Sequence, residues 1–241
     1  MRPILFPLIL AVAACGGSDG GSGPNGAFDC LGDPLPTTAP DPITVSGQIQ
    51  AGAFAPAALT DALVAAFAIG STDSIALDTS DAGGLYSLTV ATGGTPLNGY
   101  VRVTKAGSTY LPTYAYPAVP LAGSAVQNML VPTSGEIDVL EFATQVMQGA
   151  GNGFIGVVVV DCAGTPIAGA TVSTNPAGTY RYNSGSAPSA MATSTAADGV
   201  AYVFNVAAGD VIVSANGGGH VLRAHTVYAR ADAVTLTEVM P

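Results

Sequence analysis

TSDAGGLYSLTVATGG (residues 79–94) returns without a gap as TAADGVAYVFNVAAGD (residues 195–210). Thr79 and Thr195, Gly83 and Gly199, Tyr86 and Tyr202, Val90 and Val206, and Gly93 and Gly209 coincide at a constant offset of 116 residues. Each copy reads as a turn followed by a strand. Asp and Gly supply the turn conformations. Tyr86, Leu88 and Val90, or Tyr202, Phe204 and Val206, then fall on alternate positions that turn inward, and a second glycine closes the strand.

Around each copy the same punctuation repeats. The first half predicts strands over 43–50, 62–69, 74–79, 85–90, 100–105 and 126–131. The second predicts them over 154–161, 168–174, 190–195, 201–206, 211–215, 221–229 and 234–239. Short strands at this spacing, with turn residues between them, argue for an all-β chain of two tandem β-sandwiches. Between them lies one helix. Thr133-x-x-Glu136 has capping-box spacing, and Ile137, Leu140 and Met147 with Val139, Phe142 and Val146 offer a broad apolar face that ends near Gly149.

The stretch GVVVVDCAGTPIAGATVS (residues 156–173) resembles the opening of carboxypeptidase regulatory-like domains: a strand, a turn of the D-x-x-G-x-P-x-x-G-A-x-V kind, and a second strand. Thr195-Ala-Ala-Asp-Gly199 is similar to the turn that precedes a later strand of those domains. The resemblance covers residues 153–241 well and 43–132 more loosely, where Ala53 to Thr60 replaces the compact first turn. It implies transthyretin-like sandwiches of the kind that serve as accessory modules in secreted and lipid-anchored bacterial proteins. It implies no chemistry of its own, since the catalytic zinc of the carboxypeptidases lies in a separate domain.

The amino terminus predicts where such a chain is held. Arg2 precedes an apolar run from Ile4 to Ala14, too short for a membrane-spanning helix of about 20 residues but suited to a secretory signal. Val12-Ala13-Ala14-Cys15 resembles a bacterial lipobox, which makes Cys15 the acylated first residue of the mature protein. Two or more acyl chains anchor stably where one does not. Gly16 to Gly26 then reads as a flexible tether. Its Gly16-Gly17-Ser18-Asp19-Gly20 matches the hydrolase pattern G-x-S-x-G, but no strand and helix hold that serine on a strained turn. The expected organisation is a signal over 1–14, lipidated Cys15 and tether over 15–42, sandwiches over 43–132 and 150–241, and a linker helix over 133–149. By resemblance to lipoproteins whose cysteine is not followed by aspartate, the expected address is the outer membrane.

Six basic residues face 16 acidic ones, a net charge of −10 that becomes −11 once Arg2 leaves with the signal. Phosphate backbones repel such a surface, which excludes nucleic acid as the expected partner. Cys30 and Cys162 sit in similar settings, Phe28-Asp-Cys-Leu-Gly32 and Val160-Asp-Cys-Ala-Gly164, and in an oxidising compartment they are expected to pair. The alternative is two buried thiols.

No constellation of catalytic residues stands out, and no cofactor or metal is expected. His220 and His225 fall on one predicted strand, five apart, and so face opposite sides. A catalytic zinc usually takes three protein ligands. Asp73, Asp78 and Asp81 lie close in sequence but lack the spacing of a calcium loop, and read as turn residues. Tyr110, Tyr114 and Tyr116 share strand parity and offer one aromatic face, with Tyr180 and Tyr182 a second pair. Such faces cover a core or stack on a ligand. The sequence therefore predicts a non-catalytic, lipid-anchored envelope protein with a structural role and an envelope protein as partner. The alternative is a glycan- or peptide-binding module that uses these tyrosines.

Overall fold

The computed structural model describes residues 26–52 and 56–241. The signal, Cys15, the tether up to residue 25 and part of the altered first turn lie outside the described residues. The first half forms β1 (Ile43–Ala51), β2 (Ala57–Ala58), β3 (Leu63–Ala68), β4 (Ser74–Thr79), β5 (Leu85–Val90), β6 (Gly99–Thr104), β7 (Thr113–Tyr116), β8 (Ala125–Val126) and β9 (Met129–Val131). After α1 (Ser134–Thr144) come β10 (Gly153–Val159), β11 (Thr171–Asn175), β12 (Thr179–Ser184), β13 (Ala187–Ser189) and β14 (Val200–Val206). Then follow β15 (Gly209–Gly217), β16 (His220–Val221), β17 (His225–Ala229) and β18 (Val234–Val239). Among the described residues the fold is all-β with one short helix.

The two sandwiches share a sheet. Nine strands run β13-β12-β14-β10-β18-β7-β6-β3-β4, so strands of both halves hydrogen-bond in one layer. The joint is a parallel pairing of β18 with β7, from Val234 opposite Thr113 to Thr237 opposite Tyr116. Five strands (β1, β2, β5, β8, β9) and four strands (β11, β15, β16, β17) form two smaller sheets. The five-stranded sheet and α1 pack on one face of the large sheet. Ile43, Tyr86, Leu88, Ile137 and Leu140 there meet Val64, Val101, Phe154, Tyr202 and Leu236 in one core. The four-stranded sheet covers the other face mainly over the second half, where Val172, Val211, Val213 and Val227 meet Ile155, Val157 and Val203, and its core runs on to Tyr116 of β7. Strand β10 is buried on both faces, which is why its sequence is a continuous apolar run rather than an alternation.

The repeated element lands in two different layers. Strand β5 lies in the five-stranded sheet and β14 in the nine-stranded one, yet Tyr86 and Tyr202 enter the same core. The Tyr86 hydroxyl donates to the Gln127 carbonyl at 2.6 Å and the Tyr202 hydroxyl to Asn183 Oδ1 at 2.9 Å. Burial raises the pKa of both phenols. Both turns use aspartate as expected: Asp81 Oδ1 accepts from the Gly83 and Leu85 amides, and Asp198 Oδ1 from Val200. Gly199 has φ of +67°, and a Cβ there would meet the Val159 carbonyl oxygen at 2.6 Å, so the residue is restricted to glycine twice over.

Several local expectations change. The capping box of α1 forms, with Thr133 as N-cap and Glu136 bonding back to the Thr133 amide. The helix stops at Thr144, where Gln145 turns left-handed, and does not reach Gly149. Ile137, Leu140 and Val146 are buried, but Phe142 and Met147 are 88% and 82% exposed, so only half of the apolar face packs. Residues 190–195 are not a strand, and β12 takes that place in the sheet. His220 and His225 lie on separate strands, β16 and β17, rather than on one.

Cys30 and Cys162 form a disulfide with an S–S distance of 2.04 Å. Around it the chain entering from the tether docks on the second sandwich. The Cys162 amide donates to the Ala27 carbonyl at 3.0 Å, and Arg223 Nη2 donates to the Asp33 carbonyl at 2.6 Å. The Phe28 ring stands 4.7 Å from that of His220.

Candidate functional site

Tyr116 of β7 reaches the core under the four-stranded sheet, but among the described residues no sheet stacks on the same face of β6, β3 and β4, where aromatic rings and arginines cover the strands instead. Side chains on this face are set by register. Phe67 lies opposite Tyr100, and Arg102 opposite both Ala65 and Tyr114. The Phe67 and Tyr100 rings stack at 5.1 Å, and Tyr100 and Tyr116 at 4.9 Å. The Arg102 guanidinium sits 4.7 Å over the Phe67 ring. From the end of β17, Arg230 reaches across the corner between the two sheets. Its guanidinium lies 3.9 Å over Tyr114, 4.8 Å over Tyr228 and 5.0 Å over Tyr100. Its Nη1 donates to the Tyr116 hydroxyl and to the Tyr228 carbonyl, both at 3.0 Å. Cation–π contacts of this kind are each worth about 0.5–2 kcal/mol. Burial raises the Tyr116 pKa, and the charge and hydrogen bond of Arg230 act against that.

Beside this cluster opens a cleft of about 610 Å³. Its walls come from the Ile69–Thr72 turn, Asn98–Tyr100, Tyr116–Pro120, and Arg223, His225, Tyr228 and Arg230, with Asp210 the one acidic residue among them. The tautomer of His225 follows from its neighbours. Its Nε2 lies 2.7 Å from Thr237 Oγ1, and that hydroxyl donates to the Tyr116 carbonyl at 3.1 Å. Nε2 is therefore the protonated nitrogen, and Nδ1 keeps its lone pair, buried without a partner. Burial lowers the His225 pKa from 6.5 to about 4.

A depressed histidine pKa makes stability pH-dependent with a definite sign. Between pH 6.5 and 4 the unfolded chain binds the proton that the folded chain refuses, so stability falls as pH falls through that window. Urea unfolding at pH 7 and pH 4 should show a loss on the order of 3 kcal/mol attributable to this group. The loss is read as the difference between the wild type and His225→Gln. Parallel pH dependence of the two proteins would contradict it.

The tyrosines singled out in the sequence divide. Tyr114 and Tyr116 belong to this cluster. Tyr110 does not: it lies before β7, bridges to Thr133, and packs against the opposite core, so the shared face expected for all three holds for two. Tyr180 and Tyr182 put their hydroxyls into the second sandwich, where they accept the Thr174 and Val172 amides at 2.9 and 3.0 Å. These contacts satisfy backbone donors of β11. Asp78 accepts from the Thr79 and Ser87 amides, and among the described residues no group of three or more His, Cys, Asp or Glu could hold a metal ion.

What the sequence reading missed is the arginines. Tyr100-Val-Arg102 and Tyr228-Ala-Arg230 each place a ring and a guanidinium two positions apart on a strand, hence on one face. That spacing, occurring twice among only six basic residues, was the available signal.

No protein-family model matches the chain, and no curated protein does. Among solved structures, the Bacillus anthracis TIE protein aligns at 11% identity over 83% of this chain and 34% of its own, with a TM-score of 0.27. A shaft pilin SpaA from Lactobacillus rhamnosus GG aligns at 10% identity over 85% of this chain and 98% of its own, with a TM-score of 0.26. A streptococcal ancillary pilin aligns at 9% identity over 83% and 62%, with a TM-score of 0.26. The chain spans about a third of the length of the first of these. Scores at this level carry no argument about this protein.

Proposed function

We propose that the chain is a non-catalytic envelope protein, acylated at Cys15 and held at the outer membrane of a bacterium. In this reading it serves as a structural or protein-interaction module built on carboxypeptidase regulatory-like, transthyretin-like sandwiches. The observation that carries the reading is the docked strap. The segment leaving the tether is bonded through Cys30 to Cys162 and through Asp33 to Arg223 before it enters the first sandwich. Anything pulling on the amino terminus pulls first on the second sandwich, and residues 31–161 lie inside a covalently closed loop. A disulfide that closes so long a loop suits an exported protein. The shared sheet then joins the two halves in one layer, which is what a spacer or docking platform requires.

Cross-linking mass spectrometry on the native envelope tests this, with amino-terminal peptides read from the same digest. The reading expects an acylated peptide beginning at Cys15 and repeated cross-links to one envelope protein. An unacylated peptide that runs through Cys15, or a protein recovered free of membrane, contradicts it.

A further inference from the structure

We propose that the cleft beside the aromatic–arginine cluster binds a carboxylate-bearing saccharide, a hexuronate segment of an acidic glycan, whose carboxylates meet the guanidiniums of Arg223 and Arg230 on the cleft wall. The proposal rests on the reading of the chain as an exported binding or structural module and adds a ligand to it.

The charge is the first argument. Arg230 is held by the hydroxyl of Tyr116 and the carbonyl of Tyr228, and Arg223 by the carbonyl of Asp33. All three partners are neutral oxygens. In a chain where 16 acidic residues outnumber 6 basic ones, two guanidiniums lining one cleft are bonded to no carboxylate in these contacts. Each guanidinium has five N–H donors, more than these contacts use, and the cleft wall sets the two of them against the single carboxylate of Asp210. Planar carboxylate recognition is what such a fork does best.

The walls supply the rest of a sugar's chemistry. Ser71, Thr72, Asn98 and Thr226 line the same cleft and can pair with hydroxyls. Tyr228 stays 44% exposed with Arg230 over one side of its ring, and the rest of its surface adds an apolar contact for a pyranose. A cleft of about 610 Å³ is within the range of small-molecule sites. A peptide adding as a strand along β17 fits less well. The Tyr228 carbonyl on that strand already accepts from Arg230 and, at 3.3 Å, from Thr235 Oγ1.

The test is calorimetric titration of the purified, disulfide-intact protein with trigalacturonate and with its methyl ester, at low and high salt. The acid should bind, and the uncharged ester should bind at least about tenfold more weakly, the loss expected for a charge-assisted hydrogen bond. High salt should weaken the acid. Arg223→Gln should reduce affinity for the acid by a similar factor, as should Arg230→Gln if it keeps the wild-type melting temperature. Equal binding of acid and ester, no binding of the acid, or an unchanged Arg223→Gln would overturn the proposal. A tetraglutamate peptide that binds as tightly as trigalacturonate would overturn the saccharide assignment. The acid–ester comparison uses the unmodified protein, so it survives misfolding of a variant. It also takes place in solution, so its failure is distinct from a failure of the acylated peptide to appear in the envelope digest.

Discussion

Replacing Cys30 and Cys162 together by serine should lower the thermal midpoint by roughly 10–15 °C. The bond links residues 132 apart. Closing so long a loop in the unfolded chain contributes on the order of 4–5 kcal/mol in the chain-entropy model, and each kcal/mol moves a protein of this size by roughly 2–4 °C. The loss should have a local signature as well. Without the bond, the Ala27–Cys162 and Asp33–Arg223 hydrogen bonds must hold the strap unaided, and the Cys162 amide should exchange with solvent faster. Differential scanning calorimetry of the double variant, compared with the reduced wild type, measures the first effect. A shift of only a degree or two in both would mean that the strap adds nothing to the fold.

Leu236→Ala should cost about 2–5 kcal/mol, and it should cost both halves at once. Leu236 is 2% exposed on β18, opposite Gly156 of β10 on one side and Ala115 of β7 on the other. Its side chain belongs to the core shared by Tyr86 and Leu88 of the first half and by Phe154 and Tyr202 of the second. A cavity there removes packing from both. Denaturant unfolding followed by probes in each half should shift by the same amount. A shift confined to one probe would mean that the cores are independent.

The fold was legible wherever the signal was local. The alternation of Tyr86, Leu88 and Val90 is borne out in β5, and the Thr133–Glu136 pair caps α1 as its spacing promised. The pairing of Cys30 with Cys162 was legible because only two cysteines follow Cys15. The β18–β7 joint was not. It brings Val234 to Thr113 across more than a hundred residues, and nothing in either segment names its neighbour. Sandwich patterning specifies which side chains turn inward, and it leaves open whether two sheets are separate or continuous. The repeat even argued for two independent copies, whereas its strands occupy different layers around one core.

At the site the failures have equally physical causes. The parity of Tyr110 was counted through Pro112, but β7 begins only at Thr113, so the alternation does not extend back to Tyr110. For Tyr180 and Tyr182 the choice between core and ligand face stayed open in the sequence because the partners of their hydroxyls, the amides of β11, lie in another sheet. Arg230 was overlooked because its partners Tyr114 and Tyr116 are more than a hundred residues away. Only the fold brings its charge to them.

The most direct test of the account is whether the disulfide-intact protein unfolds as one body, because a clamped spacer with a cleft at the corner of two sandwiches requires both halves to stand together. Scanning calorimetry compares the heat absorbed with the heat implied by the sharpness of the transition. One symmetric transition with equal calorimetric and van't Hoff enthalpies is the predicted result. Two resolved transitions, with residues 43–132 melting apart from 150–241, would contradict it.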